Sequence, residues 1–139
     1  MVINFNPKYI PGDIVYNHKK EIIRLTSSYL KGTKLFYYRD GNYGWIREDA
    51  IKPIPLTPEI LEKNGWKLHK HHERNSYDDV SWSSYHKPAE TNISLIFYQE
   101  EKAFFPFLYA QEISETPIRY IHQLQHLLFG LELNSEMEV

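Results

Sequence analysis

Cysteine is absent from this chain of 139 residues. Without a thiol the protein can form no disulfide, no thiolate nucleophile and no cysteine-ligated zinc site. Long apolar runs are also missing, since the longest, from Ala103 to Ala110, is too short to span a bilayer. The N-terminus lacks the basic and apolar regions of a signal peptide. We therefore expect a soluble cytoplasmic protein with no membrane contact.

A surplus of either charge is missing too. The 16 Lys and Arg residues nearly balance the 18 Asp and Glu residues, for a net charge of −2. This balance argues against general attraction to nucleic-acid phosphates. No P-loop, GxGxxG or GxSxG motif occurs, so the common nucleotide-dependent and serine-hydrolase classes have no support. Hydrophobic residues reach 42% and aromatic residues 15%, which is enough for a packed core.

Residues 1–54 show short extended segments separated by turn signals and no helical period. Four segments have this character, namely Gly12–Asn17, Glu21–Thr26, Thr33–Tyr38 and Tyr43–Glu48. So many short strands in about fifty residues predict a small SH3-like β-barrel.

Asp40-Gly41 is a strong hairpin signal, because both residues tolerate positive φ. A two-residue loop there would pair Phe36 with Trp45 and Tyr38 with Tyr43, and would place these four aromatic side chains on one face. Leu35, Tyr37 and Ile46 would take the other face.

The aromatic face has two interpretations. Phe36 and Trp45 can be core residues with the tyrosines at the rim. Alternatively, the face is a platform that binds a peptide or stacks bases, with two arginines beside it. On the second interpretation the candidate partner-binding residues are Phe36, Tyr38, Arg39, Tyr43, Trp45 and Arg47.

The sequence of residues 55–139 has a different pattern, in which helices accompany the strands. Thr57 caps a short helix that has Pro58 at its first position and ends at Asn64-Gly65. About four strands follow, and a final amphipathic helix starts near Pro117 with Thr116 as its cap. The whole chain is thus expected to be α+β: an SH3-like barrel, a helix, an antiparallel meander, and a C-terminal helix lying over one face of the meander.

Histidines cluster in the segment His69–Glu73 and again at His122 and His126. In a regular strand, His69, His71 and Glu73 would share one face and could offer ligands to zinc, nickel or iron. One strand rarely closes a coordination sphere alone, so we expect a solvated strand end. His122 and His126 lack the glutamate of the HExxH helix. No metal, no cofactor and no catalytic residue is therefore predicted.

Two segments, Lys52–Trp66 ("KPIPLTPEILEKNGW") and Arg119–Leu133 ("RYIHQLQHLLFGLEL"), resemble segments of small proteins from Bacteroidetes bacteria and their phages. These relatives bring no known activity, cofactor or catalytic residue. The resemblance implies a phage, prophage or mobile-element setting, in which short accessory proteins are common.

Together these observations predict a non-enzymatic accessory protein that binds a host or phage protein through the aromatic hairpin or an exposed strand edge. Two alternatives stay open. The barrel could bind nucleic acid, with Tyr38, Tyr43 and Trp45 stacking on bases and Arg39 and Arg47 on phosphates. The histidines could serve a metal-dependent hydrolase. Unpaired strand edges also make a homodimer an open option.

Overall fold

The computed structural model describes residues 8–32, 34–40, 44–88 and 90–139. The fold is α+β, as predicted. The chain forms two compact units. The first unit comprises Met1–Ile54 and Tyr120–Met137, and the second comprises Pro55–Arg119 and Glu138–Val139. The change of unit after Ile54 falls where the sequence changes character, whereas the C-terminal helix groups with the first unit and not with the meander.

The first unit contains a four-stranded antiparallel half-barrel in which each strand pairs with the next. Its strands are β1 Ile14–Tyr16, β2 Ile22–Lys31, β3 Lys34–Arg39 and β4 Trp45–Arg47. A single 3₁₀ turn, Glu48–Ala50, follows β4. Each strand lies inside or overlaps one of the four segments with alternating apolar residues, so the period of two placed these elements correctly.

The predicted two-residue loop at Asp40-Gly41 is wrong, because the register of β3 against β4 differs from the predicted one by two residues. Tyr38 lies opposite Trp45 and Phe36 lies opposite Arg47. Residues 41–43 lie outside the described part of the chain, and so does the expected position of Tyr43. A shift of two residues conserves the face of each side chain. Phe36, Tyr38 and Trp45 therefore still share one face.

The inner face of the half-barrel carries the core of the first unit. Its members are large apolar side chains from β1 to β4 and the flanking segments, namely Tyr9, Val15, Ile23, Leu25, Tyr37, Ile46 and Ile51. Leu35 packs against this cluster. Tyr37 and Ile46 are thus buried on the face that alternation predicted for them.

Helix α2, Ile121–Gly130, completes the first unit. It starts four residues later than the predicted Pro117. Ile118 is held in an extended bridge with Phe104, and the side chain of Gln123 accepts the Tyr120 backbone N–H at 3.1 Å. Ile121, Leu124 and Leu128 are buried. None of the helices within the described residues has the length and apolarity needed to cross a membrane.

The second unit begins with helix α1, Pro58–Lys63. The Thr57 hydroxyl accepts the Ile60 N–H at 3.2 Å, and Pro58 stands at the first position, as predicted. Five strands follow as an antiparallel meander in chain order: β5 Lys67–His72, β6 Trp82–Lys87, β7 Glu90–Tyr98, β8 Ala103–Leu108 and β9 Gln111–Glu112. Tyr85, Ile93, Leu95 and Phe104 are buried in this unit.

Candidate partner-binding face

Four aromatic side chains lie on the outer face of the half-barrel, opposite its core. We name Tyr29, Phe36, Tyr38 and Trp45 the aromatic platform. Tyr29 pairs with Phe36 across β2 and β3, and their rings stack at 5.2 Å between centroids and 15° between planes. Trp45 meets Phe36 edge-on at 4.6 Å. Tyr38 lies against Tyr29 at 5.4 Å.

Exposure differs sharply across the platform. Phe36 is only 6% exposed because its neighbours cover it, whereas Tyr38 is 42% and Trp45 is 54% exposed. Phe36 therefore fixes the arrangement, and Tyr38 and Trp45 present open apolar surface to solvent. Large apolar side chains this open and adjacent are typical of recognition surfaces.

The core interpretation of the aromatic face holds for Phe36, which is buried, and fails for Trp45. Trp45 is not a core residue, because the core lies on the Tyr37 and Ile46 side of the sheet. The alternation of side chains along β3 could not show which face is buried, since both faces carry large apolar side chains. The face that holds the platform is the one left open.

Two lysines border the platform at the turn between β2 and β3. Lys31 and Lys34 form a cross-strand pair on the platform face, and both are exposed. Like charges directly opposite each other are unfavourable in a sheet. An acidic ligand would relieve that repulsion.

The two arginines of the candidate set behave differently. Arg47 lies on the platform face, and its guanidinium forms two hydrogen bonds with the carboxylate of Asp49. These hydrogen bonds lower the pKa of Asp49 and raise that of Arg47. Arg39 pairs with Leu25 and alternates away from Tyr38, so it lies on the opposite face of β3. Of these two arginines only Arg47 borders the platform, and its guanidinium is paired with Asp49.

Three platform-face residues escaped the sequence reasoning: Tyr29, Lys31 and Lys34. The signal was present, because β2 alternates through Ser27, Tyr29 and Lys31. The predicted second strand ended at Thr26, however, and a bulge between Leu25 and Ser27 shifts the register there. The longer hairpin between β2 and β3 was therefore not anticipated.

The first histidine cluster does not form the shared face that a regular strand would give. A bulge in β5 between Leu68 and Lys70 turns His69 toward His86, with ring centroids 5.2 Å apart. His71 pairs with Ser83 on the opposite face. Among the described residues, no group of three or more histidine or acidic side chains is arranged to hold a metal ion.

A hydroxyl, an imidazole and a carboxylate do line up at the end of β5. The Ser83 Oγ lies 2.7 Å from His71 Nδ1, and His71 Nε2 lies 2.6 Å from Glu73 Oε1. A nucleophilic serine must be open to its substrate, whereas Ser83 is buried at 5% exposure. This chain of contacts therefore acts as a link between β5 and β6.

The second histidine pair joins α2 to the turn before β1. His126 Nε2 contacts both carboxylate oxygens of the buried Asp13, at 2.9 and 2.8 Å. His122 is buried between the rings of Tyr9 and His126, at 4.9 and 5.5 Å. Burial lowers the pKa of His122 to about 4, against the opposing pull of Asp13. Burial likewise raises the pKa of Tyr9 to about 12.

No protein-family model matches this chain, and neither a curated protein nor a solved structure is similar to it at a convincing level.

Proposed function

We propose that the protein is a cytoplasmic, non-enzymatic accessory protein of phage or prophage type. It binds a host or phage protein by holding a segment of that partner on the aromatic platform. The observation that carries this proposal is the open pair Tyr38 and Trp45, supported from beneath by Phe36. Aromatic anchors in a rigid setting are the residues that dominate protein-binding energies.

Charge indicates the chemistry of the bound segment. Lys31 and Lys34 stand opposite each other at one end of the platform. Asp49 lies near enough to Lys34 to interact with it electrostatically, and an acidic side chain of the partner would further offset the repulsion between the two lysines. The segment should therefore combine an apolar or aromatic side chain, for Tyr38 and Trp45, with Asp or Glu at the lysine end.

Single-stranded nucleic acid is less well served by the same surface. Base stacking needs free ring faces, but Tyr29 and Phe36 stack on each other and Trp45 packs against Phe36 in a T-shaped arrangement. Arg47 is occupied by Asp49, and Arg39 lies on the other face of the sheet. The lysine pair is the remaining phosphate contact of this surface.

Selection from a displayed library of random twelve-residue peptides tests the proposal. We expect enrichment of peptides that carry both acidic and aromatic residues. Tyr38→Ala and Trp45→Ala should each weaken a selected peptide by about tenfold or more, as the loss of an interface anchor does. Tyr77→Ala is the matched control, because Tyr77 is 99% exposed and belongs to the second unit.

Charge reversal provides the second arm of the same test. Lys31→Glu together with Lys34→Glu should reduce the association rate and the salt dependence of acidic peptides. Selected peptides that bind the Tyr38 and Trp45 variants as tightly as the wild type would contradict the proposal. Binding of oligothymidylate with a steep salt dependence, and no peptide enrichment, would assign the platform to nucleic acid instead.

A further inference from the structure

The meander of the second unit has a face opposite its core that still carries large apolar side chains. We name it the outer meander face. Antiparallel pairing arranges its residues in cross-strand rows, and Trp82, Tyr98 and Ala103 form one of these rows. The large apolar members of the face are all partly exposed, namely Trp82, Ile96, Tyr98, Phe105 and Phe107.

This composition departs from the usual pattern of an antiparallel sheet, which commonly has one apolar face toward the core and one polar face toward water. Here the core face is apolar, yet aromatic rings also pack together on the outer meander face. Tyr98 meets Phe105 edge-on at 5.3 Å between ring centroids, and Trp82 stacks with His72 at 5.5 Å. An exposed apolar face of this extent indicates an interaction surface.

Two opposite charges lie at the two edges of the outer meander face. Lys67 on the edge strand β5 lies opposite His86, and Glu112 on the edge strand β9 lies opposite Phe107. Ser94 joins His86 to Phe107 in the pairing, so Lys67 and Glu112 end the same cross-strand row. Four strand spacings of about 4.8 Å separate β5 from β9, so the two charges are about 19 Å apart and do not pair within one copy.

We propose that the outer meander faces of two copies pack together as a symmetric homodimer, in which Lys67 of each copy contacts Glu112 of the other. The two-fold axis runs along the strands at β7, the middle strand of the five. This axis reverses the strand order, so β7 lies against β7, β6 against β8, and β5 against β9 of the other copy. The charges at the two edges are then self-complementary, as a two-fold interface requires.

Charge favours this axis over a two-fold axis that runs across the strands. The second axis would place β5 against β5. Lys70, which lies opposite Ser84 on the outer meander face, would then come near Lys70 of the other copy. Like charges facing each other across an interface are unfavourable. The axis along the strands instead places the lysines of β5 against the strand that carries Glu112.

The sizes of the side chains also match under the axis along the strands. Trp82 on β6 meets Ala103 on β8 of the other copy, because both belong to one row. In the next row, Ser84 meets Phe105 in the same way, and Ile96 lies on the axis. A large side chain therefore lies against a small one at both β6 positions, as it does where the layers of two sheets interdigitate.

The area of the outer meander face suits a weak dimer. Strand spacings of about 4.8 Å and rows about 6.8 Å apart give a contact of about 500 Å² on each copy. The total of about 1,000 Å² is near the lower limit for a specific interface, so we expect a dissociation constant of about 10–100 µM. The dimer does not rest on the function proposed for the aromatic platform, but it would carry two platforms and bind a partner with repeated segments more tightly.

Sedimentation equilibrium of the full-length protein at about 5–500 µM tests the proposal. The wild type should change from monomer to dimer over this range. Ile96→Lys should weaken the dimer by at least about tenfold, because two like charges would meet at the axis. Tyr77→Lys, at an exposed position of the second unit, is the matched control and should dimerise like the wild type.

Charge reversal tests the contact between the copies. Lys67→Glu and Glu112→Lys should each weaken the dimer by about fivefold or more, since each brings like charges together at both ends of the interface. The variant with both substitutions should dimerise within about threefold of the wild type. An equimolar mixture of the two single variants should form a heterodimer, because it restores both pairs. Lys67 and Glu112 are exposed, so these variants keep the test decisive if Ile96→Lys does not fold.

Three results would overturn the proposal. The first is a wild-type protein that stays monomeric at about 500 µM, which would leave the outer meander face to a partner of another kind. The second is a dimer that a folded Ile96→Lys variant leaves unchanged, because that dimer forms through another surface. The third is charge reversals that have no effect, or whose effect neither the double variant nor the mixture restores.

Discussion

At the scale of one residue, His122 shows how burial changes the pKa of a side chain. It lies on the α2 helix among Tyr9, Tyr120 and His126, and it is 3% exposed. Its pKa is about 4 in the folded protein because burial disfavours the charged imidazole, although Asp13 acts in the opposite direction. In the unfolded chain this histidine has an ordinary pKa near 6.5. Between about pH 6.5 and pH 4 the unfolded chain therefore binds a proton at His122, whereas the folded protein keeps the imidazole neutral.

The lowered pKa of His122 makes the folded first unit less stable as the pH falls. Stability from neutral His122 is fully present above about pH 6.5 and is lost as the pH falls toward 4. We expect the free energy of unfolding of the first unit to drop by about 2 kcal/mol between pH 7.5 and pH 5 from this group. Urea unfolding at the two pH values, followed by first-unit amide signals, measures it.

His122→Gln should remove that pH-dependent loss, whatever it does to stability at neutral pH. His18→Gln, at an exposed position, should retain it. An equal pH dependence in wild type and His122→Gln would show that the imidazole is not held neutral in the folded state.

The residues of β3 show the limit of sequence reasoning at this scale. Alternation correctly separated Phe36 and Tyr38 from Leu35 and Tyr37, because the period of a strand is fixed. It could not tell which set is buried, since both are large and apolar. That choice depends on where the rest of the unit packs, which is a tertiary effect.

At the scale of one element, α2 is attached to β1 through one amide. The Gln125 Oε1 accepts the buried Ile14 N–H at 2.9 Å, and its Nε2 donates to the carbonyl oxygens of Gly12 and Ser135 at 3.0 and 3.3 Å. β1 is at the edge of the half-barrel, so its outward N–H would otherwise lack a strand partner. Gln125 therefore takes the place of a neighbouring strand at that position.

Gln125→Ala should destabilise the first unit by about 1–3 kcal/mol, because it leaves the buried Ile14 N–H unpaired. Gln125→Glu should cost at least as much, since a carboxylate oxygen would face the Gly12 carbonyl. Chemical unfolding measures both, and Gln99→Ala at an exposed position is the control. Wild-type stability in both Gln125 variants would exclude this role.

Local signals predicted some elements well and others poorly. Helix α1 was predicted because Thr57, Pro58 and Gly65 mark its ends through local capping and backbone preferences. The bulge at His69 and the late start of α2 were not predicted. Both depend on partners distant in sequence, Tyr85 and Ser84 in the first case and Phe104 in the second. The missed bulge is also what made His69 and His71 look like neighbours on one face.

At the scale of the whole molecule, the first unit is discontinuous in sequence. It combines residues up to Ile54 with Tyr120–Met137, whereas a linear reading assigns each compact unit one continuous segment. The pattern of short extended segments showed the change near residue 54, but amphipathicity states only that α2 has an apolar face. It does not state which sheet that face meets.

Deletion of residues 120–139 should therefore unfold the half-barrel, because it removes the buried Ile121, Leu124 and Leu128. Amide hydrogen exchange should become fast in β1 to β4, while β6 and β7 keep more of their protection. Deletion of 138–139 alone is the control, since it removes the hydrogen bonds between the side chains of Lys63 and Asn64 and the backbone of Glu138 and Val139, all within the second unit. Protection retained in β1 and β2 after the larger deletion would contradict this division.

The central claim is that the outer face of the half-barrel, and no other surface, receives the partner segment. Titration of ¹⁵N-labelled protein with an acidic-aromatic peptide from the selection tests it most directly. Shifted amides should cluster on β2, β3 and β4 around Tyr29, Tyr38 and Trp45, and should vanish in Tyr38→Ala combined with Trp45→Ala but persist in Tyr77→Ala. Shifts centred on the meander, or shifts unchanged in the double variant, would contradict the account.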